Sequence, residues 1–332
     1  MKALVYAGPN QVRIEERPHP VLREGEVVLR IDAVGICGSD MHAYHGHDPR
    51  RKPGLVLGHE FAGVVVEGPG AGRRVTGNPL ITCGACDYCL QGRTNLCSDR
   101  TMVGMTRPGA FAEYMSIPTR CLIDLPPGLE AESAALAEPA ATALHAVDLA
   151  ARALVRPLPE AGALVIGGGA VGMFAALLLR DYGLRQLRVA ETNALRRQSV
   201  AQHVHCEVFD PLSADPVGED ACELVIDAVG AKSTRQAALR AVRPGGVVMH
   251  IGLQDWASEI DMRKLTLSEI TLIGTYTYTQ SDMRATVAAL AEGGFGDLSW
   301  VEQRPLERGA EAFADLDAGR TRAAKIVLRP HG

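Results

Sequence analysis

A glycine-rich turn, Gly167-Gly168-Gly169-Ala170-Val171-Gly172, stands directly between an apolar run, ALVI, and an apolar segment with helical spacing. This placement constrains the fold more than any other feature of the chain. Glycines at these positions let the backbone turn tightly, approach a pyrophosphate and pack the following helix close to the strand, with the helix N-terminus facing the phosphates. The six-residue pattern is weak alone, and its context gives it force. From Ala163 onward, ALVIGGG, AVGMFAALLLRDYG, LRVAE, ALRRQSVAQHV, LVIDAVG, STRQAALRAV and GGVVMHIG alternate between strand and helix texture, which is the rhythm of a parallel sheet. The expected class is therefore α/β, with a doubly wound Rossmann sheet that binds a dinucleotide through Gly167, Gly169, Ala170, Val171 and Gly172. Glu191 closes the second strand, LRVAE, where an acid grasps the adenosine ribose hydroxyls and disfavours a 2′-phosphate, so NAD is expected over NADP. Arg196 and Arg197 follow on a helical stretch. There they either accommodate a 2′-phosphate, lie along the adenine or form a solvated face.

Four cysteines, Cys83, Cys86, Cys89 and Cys97, follow C-x2-C-x2-C-x7-C in a Gly-containing loop. Such spacing wraps tetrahedral thiolates around one Zn2+ and leaves no coordination position for substrate, so the loop is read as a structural staple. Two disulfides or an iron site are the competing readings. Adjacent x2 spacings would strain paired disulfides, and nothing marks the chain as secreted. Cys37, Cys121, Cys206 and Cys222 stand singly, as reduced thiols do in a reducing compartment.

At 332 residues the chain exceeds one ordinary core, and two domains are expected. Residues 1 to about 140 are rich in Gly, Pro and short apolar runs such as VVLRIDAVG and FAGVVVE, a β texture. The Ala-rich stretch AESAALAEPAATALHAVDLAARAL then reads as a helix, with Pro139 in its first turn, and the domain boundary is placed along it. The divisions read from this are 1–143 for a β-rich domain with the cysteine lobe at about 80–100, 144–285 for the dinucleotide domain, and 286–332 for a tail whose last strand, AAKIVLRP, rejoins the first domain. A formal net charge of −5 with scattered Lys and Arg offers no field for nucleic acid. The N-terminus lacks signal-peptide character and no apolar run reaches membrane-spanning length, so a cytoplasmic protein without membrane partners is expected.

A third constellation lies in GICGSDMHAYHG and GLVLGHEFAGVV, which supply Cys37, Ser39, Asp40, His42, His59 and Glu60. A lone Cys or His is ordinarily a core residue. Thiolate and imidazole in a chain that already invests in zinc and a dinucleotide form the ligand mix of a catalytic Zn2+.

Taken in order, GICGSDMH, GHEFAGVV, the four-cysteine lobe, GAFAEYM, AEPAATALHA, GGGAVG and AAKIVLRP resemble the zinc-dependent medium-chain dehydrogenase/reductase family over nearly the whole chain. The likeness is greatest to its polyol (sorbitol-type) and threonine dehydrogenase branches, because Glu138-Pro139 stands where liver-type alcohol dehydrogenases carry a cysteine ligand. The resemblance implies a GroES-like β-rich catalytic domain and an activity that moves a hydride between NAD and a polyol or other secondary alcohol. It implies Cys37 and His59 as zinc ligands, Glu60 as a ligand or one that exchanges with water, and Glu138 as a ligand or a group bridged by water. It also implies Ser39 and His42 as a proton relay through the nicotinamide ribose, Asp40 as support for the zinc site, and Thr142 as a nicotinamide contact. The chemistry needs such a set because a carbinol carbon gives up hydride readily only when its oxygen carries negative charge, which a Lewis-acidic metal stabilises. Without the motif, Ser39 would read as a turn residue, His42 as a surface imidazole and Asp40 as a helix cap.

Three other readings compete. A threonine-type amino alcohol would use the same chemistry, with Tyr44, His45, His47, Arg50 and Arg51 lining the rim or forming a solvated loop. A non-catalytic zinc-loop protein would bind a nucleotide or a partner, and a zinc-free reductase would have no use for Cys37, His59 and Glu60 together. The turn EGPGAGRRV is shorter than relatives carry, and a shortening there bears on the cleft rim or a subunit contact. TLIGTYTY pairs across a two-fold axis or forms a protected edge, and a homodimer or homotetramer is expected.

Overall fold

The computed structural model of the chain describes residues 1–213 and 218–332. Among these residues, six strands form one sheet in the order Glu207–Phe209, Gln186–Ala190, Gly162–Ile166, Cys222–Asp227, Val242–His250, Thr271–Gly274. Every neighbouring pair is parallel. Gly162–Ile166 and Cys222–Asp227 are buried along their whole length, which is why their centres, Ala163–Ile166 and Leu224–Ile226, read as unbroken apolar runs rather than as alternating ones. Chain order runs outward from Gly162–Ile166 and reverses between it and Cys222–Asp227. In open α/β sheets the crevice at the carboxyl ends beside such a switch point takes the ligand.

The second sheet is mixed. Its order is Val301–Pro305, Lys325–Arg329, Glu26–Gly35, Glu60–Glu67, Arg74–Gly77, Leu122–Asp124, with Tyr114–Pro118 also pairing with Glu26–Gly35. The tail strand Lys325–Arg329 lies antiparallel to Glu26–Gly35, Val327 opposite Gly35. Residue 286, however, lies inside the helix Gln280–Ala291, whose Met283, Val287 and Leu290 are buried with residues of the parallel sheet. The chain re-enters the mixed sheet at Val301–Pro305.

The helix Ala137–Ala153 joins the two halves. Its alanines allow close packing on both sides: Ala33 and Ala62 of the mixed sheet share one apolar cluster with Val165 and Phe174 of the parallel half. The shortened turn closes Glu60–Glu67 onto Arg74–Gly77 with Val64 opposite Arg74. Gly68, Gly70 and Gly72 take positive φ there, where side chains are disfavoured. It sits at the far end of the strand from Glu60, so the shortening leaves the cleft ligands in place.

Candidate active site

Cys37 follows the strand Glu26–Gly35 and caps the helix Gly38–Tyr44, its N–H donating to Asp40 Oδ2 at 3.1 Å. His59 and Glu60 stand at the start of the neighbouring strand, where Glu60 is the register partner of Gly35. Strand pairing therefore brings residues far apart in sequence to one point: a sulfur, an imidazole nitrogen and a carboxylate oxygen from Cys37, His59 and Glu60 lie within 4.8 Å of one another.

The donor set fits a zinc ion. Thiolate, imidazole and carboxylate are its common ligands. His59 Nδ1 and Asp40 Oδ1 are both buried without a hydrogen-bond partner among the described residues and lie 3.6 Å apart. That is the carboxylate–imidazole arrangement which orients a ligating histidine from behind. Burial works against charge on His59, yet the neighbouring Asp40 and Cys37 hold its pKa well above the ordinary histidine value. The site thus favours a cation at that point.

Two groups that sequence reasoning missed shape the Glu60 side. Lys325, 2% exposed, donates to both Glu60 oxygens at 2.6 and 2.7 Å and to the Ile36 carbonyl at 2.8 Å. A lysine inside the apolar tail strand was the available signal. Gly35 leaves the room Glu60 occupies, since a Cβ there would lie 2.0 Å from Glu60 Oε2. Glu138, in the first turn of the joining helix, is buried near this cluster but is not gathered into it. Its Oε1 accepts from the Tyr278 hydroxyl at 3.0 Å. Burial, with Glu60 adding and His59 opposing, pushes the Glu138 pKa up to about 7.

Ser39 and His42 lie three residues apart on the helix Gly38–Tyr44, hence on one face. Ser39 Oγ is 3.4 Å from His59 Nε2. Burial, with His47, His45 and Arg51 adding, lowers the His42 pKa. The rim residues divide. Tyr44 is not on the rim: it is buried against Phe313, ring centroids 5.3 Å apart. Nor is Arg51 part of a solvated loop, because its side chain is fully buried. It donates to the Ser39 carbonyl, to Ser39 Oγ at 3.2 Å and to the Gly104 carbonyl at 3.2 Å. His45 pairs with Asp317 at 2.6 Å, whereas His47 and Arg50 are exposed, Arg50 forking onto Asp48.

At the crevice of the parallel sheet, Gly169 caps the helix Ala170–Asp181 and Gly167 takes φ 99°. A Cβ on Gly172 would lie 1.8 Å from the Gly167 carbonyl oxygen, so only glycine lets this helix sit against the strand it follows. Ala170 and Val171 form its first turn. Glu191, directly after Gln186–Ala190, accepts the Gly168 N–H at 2.8 Å and the Asn193 N–H at 2.7 Å, which fixes its carboxylate beside the loop. Arg196 pairs with Glu191 at 3.3 Å and Arg197 with Asp210 at 3.1 Å. Both arginines therefore already have acidic partners. Thr142, half-buried on the joining helix, donates to the Glu138 carbonyl at 3.4 Å.

In the lobe, one sulfur from each of Cys83, Cys86, Cys89 and Cys97 lies within 4.8 Å of the others. The Ala85 and Cys86 amides donate to Cys83 Sγ at 3.4 and 3.3 Å and lower its pKa to about 6. Local turns thus prepare a thiolate there. The eight cysteines are free thiols.

Comparison with known proteins agrees with this geometry. Residues 23–127 match the family described as alcohol dehydrogenase GroES-like domain, and residues 170–292 match zinc-binding dehydrogenase. The chain is 31% identical to L-galactonate-5-dehydrogenase of Escherichia coli, covering 94% of each protein. It is 29% identical to L-threonine 3-dehydrogenase of a Chelativorans species, covering 99% of this chain and 98% of the relative. The solved structure of a short chain alcohol dehydrogenase from E. coli complexed with NADH superposes with a TM-score of 0.89 at 25% identity over 99% of both chains.

Proposed function

Since the chain belongs to the zinc-dependent medium-chain dehydrogenase/reductase family, we propose that it oxidises a polyol or another secondary alcohol with NAD, and reduces the corresponding ketone in reverse. The observation that carries this reading is the Cys37–His59–Glu60 cluster, with Ser39 on the adjoining helix turn and a dinucleotide crevice in the other half of the molecule. Cys37, His59 and Glu60 would hold the catalytic zinc, and Cys83, Cys86, Cys89 and Cys97 the structural one. A catalytic zinc supplies Lewis-acid stabilisation of negative charge on the substrate oxygen, and NAD supplies the hydride acceptor. Ser39 would accept the substrate hydroxyl proton, and His42 on the same helix face would be the acceptor beyond it, its pKa lowered chiefly by burial, which favours the neutral imidazole. Arg51 holds the Ser39 backbone and hydroxyl while this happens. Asp40, 3.6 Å from His59 Nδ1, would orient that ring, and Glu138 and Thr142 would serve the reacting centre from the joining helix.

NAD rather than NADP is supported by Glu191, which is buried at the loop, and by the engagement of Arg196 and Arg197 with acids. An assembly of two or four copies is supported by Thr271–Gly274, which ends the parallel sheet with an exposed, apolar-containing edge. Among the described residues no helix is long and apolar enough to cross a membrane, in keeping with a cytoplasmic site of action. Polyols are favoured as substrates by the relatives named for sugar acids. The test is NADH formation by the purified protein on a panel of polyols, aldonates, simple alcohols and threonine, with metal content measured in parallel. Turnover on polyols or aldonates with two zincs per chain is the expected result. Zinc in the lobe alone, with no turnover on any alcohol, would overturn it.

A further inference from the structure

The hydrogen bond between Tyr278 and Glu138 joins the two halves of the molecule at the zinc-ligand cluster. Tyr278 belongs to the segment between the edge strand Thr271–Gly274 and the helix Gln280–Ala291, whereas Glu138 opens the joining helix beside Cys37, His59 and Glu60. Both side chains are almost fully buried. The backbone that delivers Tyr278 is forced. Thr277 takes φ 47°, a left-handed conformation that a β-branched residue adopts only where its surroundings impose it. Those surroundings come largely from the mixed-sheet half: Asn95 Nδ2 donates to the Tyr276 carbonyl at 2.8 Å, the Arg100 guanidinium lies 4.9 Å from the Tyr276 ring centroid, and Asn78 Nδ2 donates to Gln280 Oε1 at 3.2 Å. On the far side, Thr279 caps the following helix. The segment is pinned at both ends, and the strained residue between them aims one phenol at one carboxylate.

Glu138 lies outside the Cys37–His59–Glu60 cluster, yet close enough for the charges of His59 and Glu60 to act on it. Turned one way it would be a further oxygen ligand to a metal held by Cys37, His59 and Glu60; turned the other it accepts from Tyr278, as it does in this structure. We infer that Tyr278 is a positioning residue that holds Glu138 back from the catalytic metal, so that the coordination position a substrate hydroxyl needs is kept open from the nucleotide-binding half of the molecule. The inference rests on the reading that Cys37, His59 and Glu60 hold the metal. A phenol suits the task because it offers one directed donor from a rigid ring, and inside a buried site that hydrogen bond has no water to replace it. Tyr278 touches neither substrate nor cofactor in this role; it acts through Glu138.

The test replaces zinc by Co2+, whose visible absorption bands report the ligand set. Four proteins are compared: wild type, Y278F, E138Q and the double variant Y278F/E138Q. Y278F removes one oxygen atom and keeps the ring in its cavity. Its cobalt bands are expected to shift as the freed carboxylate enters the coordination sphere, and a chelator should strip the metal several-fold more slowly. The KM for alcohol should rise by a larger factor than kcat falls, because the open position is now contested. E138Q and the double variant should share one spectrum and one stripping rate, since an amide is a poor ligand with or without its phenol partner. A Y278F spectrum and stripping rate equal to wild type would overturn the inference, as would a shift that persists in the double variant. A wild-type protein that takes up no Co2+ beyond the amount retained by C37S would remove the metal reading itself, an outcome distinct from the first two.

Discussion

The two ligand clusters use similar donors and are built in opposite ways. In the cysteine lobe, Cys83 and Cys97 are 14 positions apart, the intervening turns supply the amides that prepare Cys83, and three of the four cysteines are at least partly exposed. The catalytic cluster takes Cys37 from a helix cap and His59 and Glu60 from a strand start. Its Lys325 bonds a carbonyl 289 positions away, and its Tyr278 a carboxylate 140 positions away. A local loop can form its site whenever its metal is present, because metal binding and local folding are one event. A site assembled by strand register and domain apposition exists only when the whole fold does.

Single ligand substitutions separate the two most strongly. Cys37→Ser is expected to lower metal content by one equivalent and to abolish turnover by a factor of about a thousand or more, the loss of several kcal/mol of charge stabilisation. Its melting temperature should change little while the lobe keeps its metal. Cys89→Ser should do the reverse. One equivalent of metal is lost and thermal unfolding moves down by several degrees, yet turnover at low temperature survives. Metal analysis paired with thermal melts checks both; loss of both metals in either variant would show the clusters to be one cooperative unit.

The same contrast explains what was legible in the sequence. The lobe and the glycine loop with Glu191 are carried by short spacings, and a spacing survives reading one residue at a time, whereas Cys37, Ser39, His59 and Glu60 were legible through the segments GICGSDMH and GHEFAGVV and the family that these resemble. Lys325 and Tyr278 have no such spacing; each is one polar residue in an apolar stretch, and its partner is set by which strands pair and which segments meet. Arg51 sits next to Arg50 in the sequence, yet one guanidinium is sealed behind Ser39 and the other is in solvent. Only the course of the loop over Gly104 distinguishes them. Tyr44 was misplaced for the related reason that its helix turns it toward Phe313 of the tail, a contact between the two ends of the chain. The alternation of strands and helices gave the parallel sheet, but not the point at which the chain leaves it, because the helix Gln280–Ala291 has the same texture whichever half it packs on.

Lys325→Met sharpens the comparison at the next level of effect. It keeps the length of the side chain and removes the charge, leaving Glu60 buried and unpaired, an error that typically costs about 3–5 kcal/mol. Metal-free protein should show the full loss in denaturant unfolding. Zinc-loaded protein should show less, because the carboxylate regains a cation, whereas the zinc of the lobe should be unaffected. Equal destabilisation with and without metal would mean that Glu60 and the metal do not interact.

The smallest effect is a pH dependence of the catalytic cluster. Glu138 has its pKa pushed up from 4.5 to about 7, chiefly by burial. Between these values the folded protein retains a proton that the unfolded chain has released, so this group's contribution to stability is fully present below pH 4.5 and is lost as pH rises through about 7. The whole swing is about 3 kcal/mol. Glu138→Gln cannot titrate, and in metal-free protein its stability relative to wild type should therefore increase steadily across that interval, measured as paired denaturant midpoints. Bound zinc favours the ionised carboxylate and should flatten the trend. The lobe's counterpart has the opposite sign: the amides that lower the Cys83 pKa to about 6 add stability as pH rises, an effect that solvent screens because Cys83 is exposed. A difference between wild type and Glu138→Gln that stays constant with pH would mean that Glu138 is solvated in the folded protein, and that the catalytic cluster is as open as the lobe.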